Sequence, residues 1–245
     1  MTFSIVAFDK EKNKFGIATC SAIPCIGEYF AFGNGSAGVV AAQGACNPYN
    51  GLKAIEMLKN KIHPNEIINS LKKLDKGIEK RQIAIISNDF KMGFFTGNEL
   101  GNGIKNQIFG ENYIISGNTL VSDDCLSLMK ESFLNTKSDL EIKLLNALSS
   151  VPNYSGDLRG RQSAALHVYS TDYDYPIIKI NIDDCDIGSD PIEFLNKYTN
   201  RYLKSFYKLL PYFPQRNGEQ KDPNDDPNIQ SIFQQFKKKV YERNF

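Results

Sequence analysis

Thr2 is the residue whose type and position suggest chemistry most directly. Removal of Met1 would leave a hydroxyl and a free α-amine on this one residue. An α-amine with its ordinary pKa of about 8 can accept the proton of a hydroxyl, so the nucleophile and its base would need no second residue. Many proteins begin with Met-Thr and make no catalytic use of the threonine, so position alone leaves both interpretations open.

The elements that must position Thr2 are the first two predicted strands. Residues 2–8 are apolar at both odd and even positions, which is typical of a strand buried on both faces. A polar turn leads into a second strand at 15–21, which predicts a hairpin that returns Ser21 to the side of Thr2. Ser4 shares the face of Thr2 because strand side chains alternate. Ser21 is therefore a candidate substrate-binding residue, and Ser4 is either a catalytic hydroxyl or a serine lining the core.

Side-chain amides near strand ends are candidate donors to an oxyanion. Asn47 precedes a proline and Asn118 follows a glycine, so each is either a catalytic amide or a turn residue. Gln43, at the end of a strand of small residues, is a further amide of this kind and a candidate for substrate binding. Arg81 opens a later strand and is a candidate for the same role.

A glycine-containing loop carries Asp157, Arg159 and Arg161. Two guanidinium groups can clamp a carboxylate or phosphate through paired hydrogen bonds, and the aspartate could orient one of them. The alternative is a structural salt bridge that locks the loop. If the loop faces Thr2, the first interpretation predicts a substrate that bears a carboxylate.

A cysteine nucleophile is the alternative to Thr2, with Cys46 or Cys20 as the attacking thiol. Neither has a histidine nearby in sequence, and a buried small apolar side chain is the competing interpretation. His63 is expected to start a helix and His167 to lie in a strand, without a catalytic role. The cysteines are scattered and contain no CxxC pair, which argues against a structural zinc site: Cys20, Cys25, Cys46, Cys125 and Cys185.

The composition of the 245 residues is that of an ordinary folded protein, with 41% hydrophobic and 23% charged residues. A formal net charge of +1 gives no basic surplus for nucleic acid. No apolar run reaches the roughly 18 residues needed to span a bilayer, and no secretion signal is visible. We therefore expect a cytoplasmic protein with reduced thiols that needs no cofactor or metal and binds neither nucleic acid nor membrane.

Hydrophobic periodicity predicts the remaining elements in order. They are an irregular stretch at 22–36, a strand at 37–43, helices marked by apolar residues at 52–58 and 67–74, strands at 83–86 and 92–96, a loop at 97–111, a strand at 113–117, helices starting near 122 and 138, a loop at 151–161, strands at 162–169 and 177–182, and a helix from 190 to 211. Hairpins dominate, and many strands are apolar on both faces. The predicted fold class is α+β, a four-layer αββα sandwich of two mostly antiparallel sheets flanked by helices.

The predicted domain covers residues 1–212. Residues 213–245 are expected to form a flexible linker, rich in proline, asparagine and aspartate, followed by a short C-terminal helix. The helix before the linker carries many aromatic residues, which indicate either core packing or a face for a homodimer or higher homo-oligomer. These residues are Phe194, Tyr198, Tyr202, Phe206, Tyr207, Tyr212 and Phe213.

Several short motifs resemble those of the DUF1028 family of uncharacterised proteins, which are similar to N-terminal nucleophile (Ntn) hydrolases. They lie in the family's order within residues 1–183 or so, and the one at 156–164 is the most specific. The motifs are Thr2–Ala7, Ala42-Gln43, Asn47-Pro48 with Gly51, Arg81-Gln82, Thr96-Gly97, Gly117-Asn118, and Gly156-Asp157 with Arg159–Ala164. The resemblance implies an Ntn-type αββα fold whose first strand starts with threonine, and it suggests hydrolysis of amide bonds.

The resulting hypothesis is an amidohydrolase that cleaves a small amide or peptide-like substrate. Thr2 is its nucleophile, its α-amine is the proton carrier, and the substrate carries a carboxylate bound by Arg159 or Arg161. The alternative is a catalytically inactive protein of the same fold that binds a ligand or a partner, with the tail at 214–245 as a docking arm.

Overall fold

Two compact units make up the chain, Met1–Asn196 and Lys197–Phe245. The computed structural model describes residues 2–122, 124–152, 160–186, 188–226, 229–232 and 234. The predicted division at residue 212 stays a prediction.

The elements alternate between strands and helices along the chain. In order they are β1 (Thr2–Asp9), β2 (Lys14–Ser21), α1 (Ile26–Tyr29), β3 (Ala31–Asn34), β4 (Gly38–Gly44), α2 (Pro48–Lys59), α3 (Pro64–Leu74), β5 (Arg81–Ser87), β6 (Met92–Thr96), β7 (Ile104–Phe109), β8 (Tyr113–Leu120), α4 (Asp124–Asn135), α5 (Leu140–Ser149), β9 (Ser163–Ser170), β10 (Ile178–Ile182) and α6 (Pro191–Leu203), with 3-10 helices at Ile78–Lys80, Phe206–Tyr212 and Pro223–Asp225.

The strands form two antiparallel sheets. The first sheet has the order β10-β9-β2-β1-β8-β7, so β1 lies between its hairpin partner β2 and the distant β8. The second sheet has the order β3-β4-β5-β6. The prediction of an α+β fold with two mostly antiparallel sheets and helices is therefore confirmed.

The two sheets pack face to face over an apolar core. Val6 and Phe8 of β1, Ile17 of β2, and Val39 and Ile86 of the second sheet belong to one buried cluster. Even-numbered residues of β1 therefore face the second sheet. Because side chains alternate along a strand, Thr2 and Ser4 must face the same intersheet space as the apolar cluster.

Helices cover the two outer faces of the sheets. Helices α2 and α3 pack on the second sheet, where Leu58, Ile67 and Leu71 join a buried cluster with Val40 and Ile85. Helices α4 and α5 pack on the first sheet. Burying the outer sheet faces in this way explains why strands such as β1 are apolar on both sides.

Two segments expected to be irregular contain strands. The stretch at 22–36 holds α1 and β3, and β3 is stabilised by pairing with β4. The predicted loop at 97–111 holds β7, a strand with a polar middle at the edge of the first sheet and with a register shift near its start. Both strands depend on pairing with another part of the chain, which short local patterns do not report.

Aromatic rings pack against one another in the C-terminal unit. The ring of Tyr202 lies 5.6 Å from that of Phe206, which lies 5.6 Å from Phe213. The Tyr212 hydroxyl donates to the Asp226 carboxylate at 2.6 Å. The predicted helix to residue 211 ends earlier, at Leu203. Among the residues that the structure describes, no helix is both long and apolar enough to cross a membrane.

Candidate active site

The intersheet space is polar at the end where β1 begins. Thr2 pairs in register with Ser21 of β2 on one side and with Asn118 of β8 on the other. Ser21 in turn pairs with Ser163 of β9. Four neighbouring strands thus carry hydroxyl or amide side chains in one row, whereas the far end of the same space is apolar.

The Thr2 hydroxyl lies in this polar row, 3.1 Å from the Ser21 hydroxyl. Thr2 is only 3% exposed, yet it lines a cavity of about 320 Å³ together with Ser21 and Asn118. The other lining residues are Ile23, Gly44, Ala45, Leu100, Gly101 and Thr119. The predicted hairpin of β1 and β2 therefore returns Ser21 to Thr2, and a small molecule in the cavity would contact Thr2.

A network of buried amides crosses between the sheets behind this cavity. Gln82 on β5 accepts hydrogen bonds at Oε1 from Gln43 Nε2 at 2.8 Å and from Asn118 Nδ2 at 3.2 Å. Gln43 accepts from the Ser4 hydroxyl at 2.6 Å and donates to the Thr2 carbonyl oxygen at 3.4 Å. The structure therefore brings together five residues expected to form the site, namely Thr2, Ser4, Ser21, Gln43 and Asn118.

Comparison with known proteins assigns the chain to a family. The sequence model of the "Family of unknown function (DUF1028)" matches residues 2–195. The chain belongs to the DUF1028 family. No curated protein matches this DUF1028 chain.

Two solved structures are similar to the DUF1028 chain. Protein SPO2555 from Silicibacter pomeroyi, itself described by the same family, is 28% identical, with a TM-score of 0.79 over 90% of this chain and 94% of that protein. Anbu (ancestral beta-subunit) from Yersinia bercovieri is 13% identical, with a TM-score of 0.38 over 87% of this chain and 99% of that protein.

The side chains of Asn47 and Arg81 turn away from Thr2 in the DUF1028 protein and meet at Asp75. The Asp75 carboxylate accepts from Arg81 Nε at 3.0 Å, Asn47 Nδ2 at 2.9 Å and Asn50 Nδ2 at 2.7 Å. Burial raises the pKa of Asp75, but these hydrogen bonds and one from the Gly77 N–H outweigh it and hold the pKa well below its usual range. Arg81 also donates to the Ala45 carbonyl, so this cluster supports a wall of the cavity.

The Arg161 side chain is buried and binds groups of the protein itself. Its guanidinium donates to Asp190 at 3.1 Å and to the backbone carbonyls of Val151 and Pro152 at 2.5 and 2.9 Å. It lies over the ring of Phe3, on the face of β1 opposite to Thr2. Asp190 also accepts from the backbone N–H of Ile192 at the start of α6, as its place before Pro191 predicts. The other two residues of that predicted loop site, Asp157 and Arg159, lie outside the described residues.

The cysteines and histidines of the DUF1028 chain lie outside the Thr2 network. Cys20 is buried; burial raises the pKa of the Cys46 thiol, which disfavours the reactive thiolate, although Arg81 opposes the shift. His63 caps α3, where its Nδ1 accepts from the Asn65 N–H at 3.2 Å. In the described part of the chain, no group of three or more His, Cys, Asp or Glu residues could hold a metal ion.

Two residues of this region were not predicted as site residues from the sequence. Gln82 belongs to the Arg81-Gln82 motif, and a buried glutamine directly before the apolar run at 83–86 is the signal that could have identified it. Asp75 follows a helix and has no local signal beyond its charge. Gln82 acquires its role through distant partners, whereas Asp75 binds the nearby Arg81 as well as the distant Asn47.

Proposed function

We propose that the protein is an amide hydrolase of the N-terminal nucleophile type, with Thr2 as its nucleophile after removal of Met1. The observation that carries the proposal is the place of the Thr2 hydroxyl, which lines a cavity of about 320 Å³ and lies 3.1 Å from the Ser21 hydroxyl. A nucleophile must be accessible to substrate and must have partners for its proton.

The layered architecture supports the same proposal. Two antiparallel sheets pack face to face between helices, and the threonine stands at the first position of the central strand β1. An Ntn hydrolase places its nucleophile at the start of such a strand. The resemblance of the motifs and the arrangement of the layers therefore support one fold assignment.

The proposed reaction has two stages. The Thr2 hydroxyl oxygen attacks the carbonyl carbon of the substrate while its proton moves to the α-amine. The C–N bond then breaks, and the resulting ammonium returns the proton to the leaving nitrogen, which departs as an amine. Water, deprotonated by the same α-amine, hydrolyses the ester on Thr2 and restores the hydroxyl.

The negative charge that develops on the carbonyl oxygen requires hydrogen-bond donors at the cavity. Backbone N–H groups of the cavity wall are the candidates, because the Nδ2 of Asn118 already donates to Gln82. Ser21 is the nearest hydroxyl to Thr2 and holds it in position.

The proposal does not retain a carboxylate on the substrate. The Nη1 and Nη2 atoms of Arg161 donate to Asp190 and to two backbone carbonyls on the face of the sheet opposite to Thr2, and Arg159 lies outside the described residues. The proposed substrate is therefore a small amide, and no carboxylate on it is assigned to Arg161.

The test is covalent labelling of the intact protein by a β-lactone, which esterifies an activated hydroxyl. Mass spectrometry is expected to show loss of Met1 and one adduct on Thr2. Thr2→Ala should abolish the adduct and Thr2→Ser should retain it. Thr19→Val, a nearly isosteric change at a buried threonine of the neighbouring strand, should leave labelling intact. A protein that retains Met1 and still takes the adduct would contradict the α-amine mechanism.

Binding without catalysis is the second candidate function. The burial of Thr2, with its hydroxyl bonded to Ser21, favours it because such a group has no solvent access except through the cavity. In that case the Thr2→Ala variant should complement a deletion strain as well as the parent protein does, whereas a protein without residues 214–245 should not. The same labelling experiment separates the two functions, since an inactive protein forms no adduct.

A further inference from the structure

The orientation of the Gln82 amide is determined by its surroundings. Its Nε2 lies 3.0 Å from the Asn106 carbonyl oxygen and 3.2 Å from the Gly117 carbonyl oxygen. Backbone carbonyls can only accept hydrogen bonds, so the amide nitrogen must face them. The Oε1 atom must then face Gln43 and Asn118, and Gln82 is fully buried, so water cannot substitute for these partners.

The orientation of the Gln82 amide determines the orientation of the two amides bonded to it. Because Gln82 presents an acceptor, Gln43 and Asn118 must both turn their nitrogens toward it. Gln43 thereby presents its Oε1 to the Ser4 hydroxyl, which donates at 2.6 Å. The two backbone carbonyls thus set the polarity of a chain of side chains that ends beside Thr2.

Asn118 is the member of this chain that lines the Thr2 cavity. With Nδ2 committed to Gln82, its Oδ1 points away from Gln82 and, within the described residues, accepts no hydrogen bond. We propose that Asn118 recognises an N–H group of the substrate amide through this Oδ1 acceptor, and that Gln82 is the positioning residue that turns the acceptor toward the cavity. This inference rests on the proposed function of the Thr2 site.

The inference narrows the substrate class. Primary and secondary amides carry an N–H group on the amide nitrogen and can donate to Asn118. Tertiary amides and esters cannot, and they would cover the acceptor of Asn118 without giving it a hydrogen-bond donor. An unmet buried acceptor disfavours binding, so these compounds are expected to be rejected.

The experiment compares two small probes that differ in one N–H group. N-methylacetamide and N,N-dimethylacetamide are titrated into the full-length protein, and binding is followed by NMR at the side-chain amide of Asn118. N-methylacetamide is expected to bind about fivefold more tightly, the effect of one net hydrogen bond. Equal affinities, or no binding of either probe, would overturn the inference.

Three variants separate recognition from folding. Asn118→Ala removes the acceptor and Gln82→Leu removes its orientation, so both should lose the preference for N-methylacetamide. Asn112→Leu is the control, because the Asn112 amide donates to the Phe8 carbonyl at 2.9 Å at the other end of β1, and it should retain the preference. Gln82→Met replaces Gln82→Leu if the latter fails to fold.

The test of recognition by Asn118 and the test of catalysis by Thr2 can fail independently of each other. A preference that persists in Asn118→Ala or in the Gln82 variants shows that the acceptor is not the recognising group. β-Lactone labelling of Thr2 is scored separately in the same preparations. If Thr2 is not labelled but the preference for N-methylacetamide is intact, Thr2 is not a nucleophile, whereas recognition by Asn118 is still supported.

Discussion

The hydroxyl oxygens of Thr2 and Ser21 lie 3.1 Å apart, on paired residues of the β1–β2 hairpin. The backbone N–H of Ile23 donates to the same Ser21 oxygen at 3.4 Å. Ser21 can therefore hold the Thr2 hydroxyl in one rotamer at the edge of the cavity.

Ser21→Ala is expected to slow the β-lactone labelling of Thr2 about fivefold, because one positioning hydrogen bond is lost. The melting temperature should change little, since no large group is removed. The control is Ser170→Ala, a buried serine at the other end of the first sheet that bonds Asp172. Equal labelling rates for all three proteins would exclude a role for Ser21.

Arg161→Ala should destabilise the protein by roughly 3 kcal/mol, because it leaves Asp190 buried without its cation. We expect the folded variant to label at the normal rate, since Arg161 lies on the opposite face of β1 from Thr2. Urea unfolding and labelling below the transition measure the two effects. Slower labelling without a loss of stability would instead favour the substrate-binding role first considered for Arg161.

Asp75→Ala should also cost roughly 3 kcal/mol at neutral pH, because Arg81 and two asparagines lose their shared acceptor. The folded-state pKa of Asp75 is depressed, so its stabilising effect is present above the unfolded value of about 3.9 and is lost as the pH falls through the folded pKa. The difference in urea midpoint between the variant and the parent should therefore be constant above about pH 5 and shrink below pH 4. A difference independent of pH would contradict this assignment.

His167 should make the protein less stable in mild acid. Burial lowers the pKa of His167 to about 4, and the positive charge of Lys179 lowers it further. The hydrogen bond to Asn181 and the negative charge of Glu28 raise this pKa but do not outweigh burial. The unfolded chain takes up the proton near pH 6.5, so the stabilising effect of neutral His167 is full above that pH and is lost as the pH falls toward 4.

Melting curves of His167→Gln measure this effect, which amounts to roughly 3 kcal/mol at its maximum. The variant should show a flatter dependence on pH between 6.5 and 4 than the parent protein. His63→Gln is the control, because His63 caps a helix and has no such burial. The assignment is wrong if the two variants have the same pH dependence.

Gly97→Ala should lower stability by about 2 kcal/mol, because the added Cβ would overlap the backbone of Glu79, which cannot move aside cheaply. Gly101→Ala is the matched control, since its Cβ would meet only the Thr119 hydroxyl at 3.7 Å, an ordinary contact. Chemical unfolding of both variants measures the difference in their stability. Similar midpoints would show that the contact at Gly97 relaxes easily.

Local patterns were sufficient for the hairpin that presents Thr2. The apolar residues at both odd and even positions of 2–8, the polar turn and the second strand together predict β1, β2 and the return of Ser21 to Thr2. Such contacts are close in sequence, so periodicity and turn composition contain the information. Local patterns also predicted the helices α2 and α3, but not the whole of their buried faces, because Leu52 and Leu74 of the predicted apolar stripes are 56% and 64% exposed.

Pairing between distant segments decided the rest of the site. Asn118 reaches Thr2 because β8 adds to the free edge of β1, and Gln82 reaches Asn118 because the two sheets pack face to face. Arg161 and Asn47 have the chemistry expected of site residues, but the strand face and the carboxylate partner direct them elsewhere.

The sequence by itself therefore determined the nucleophile candidate, its strand and the class of fold. Only the tertiary structure decided which amides surround Thr2 and which way they face. The physical reason is that a side-chain amide has a donor end and an acceptor end. Its orientation depends on backbone carbonyls, such as those of Asn106 and Gly117, that folding alone brings within hydrogen-bonding distance.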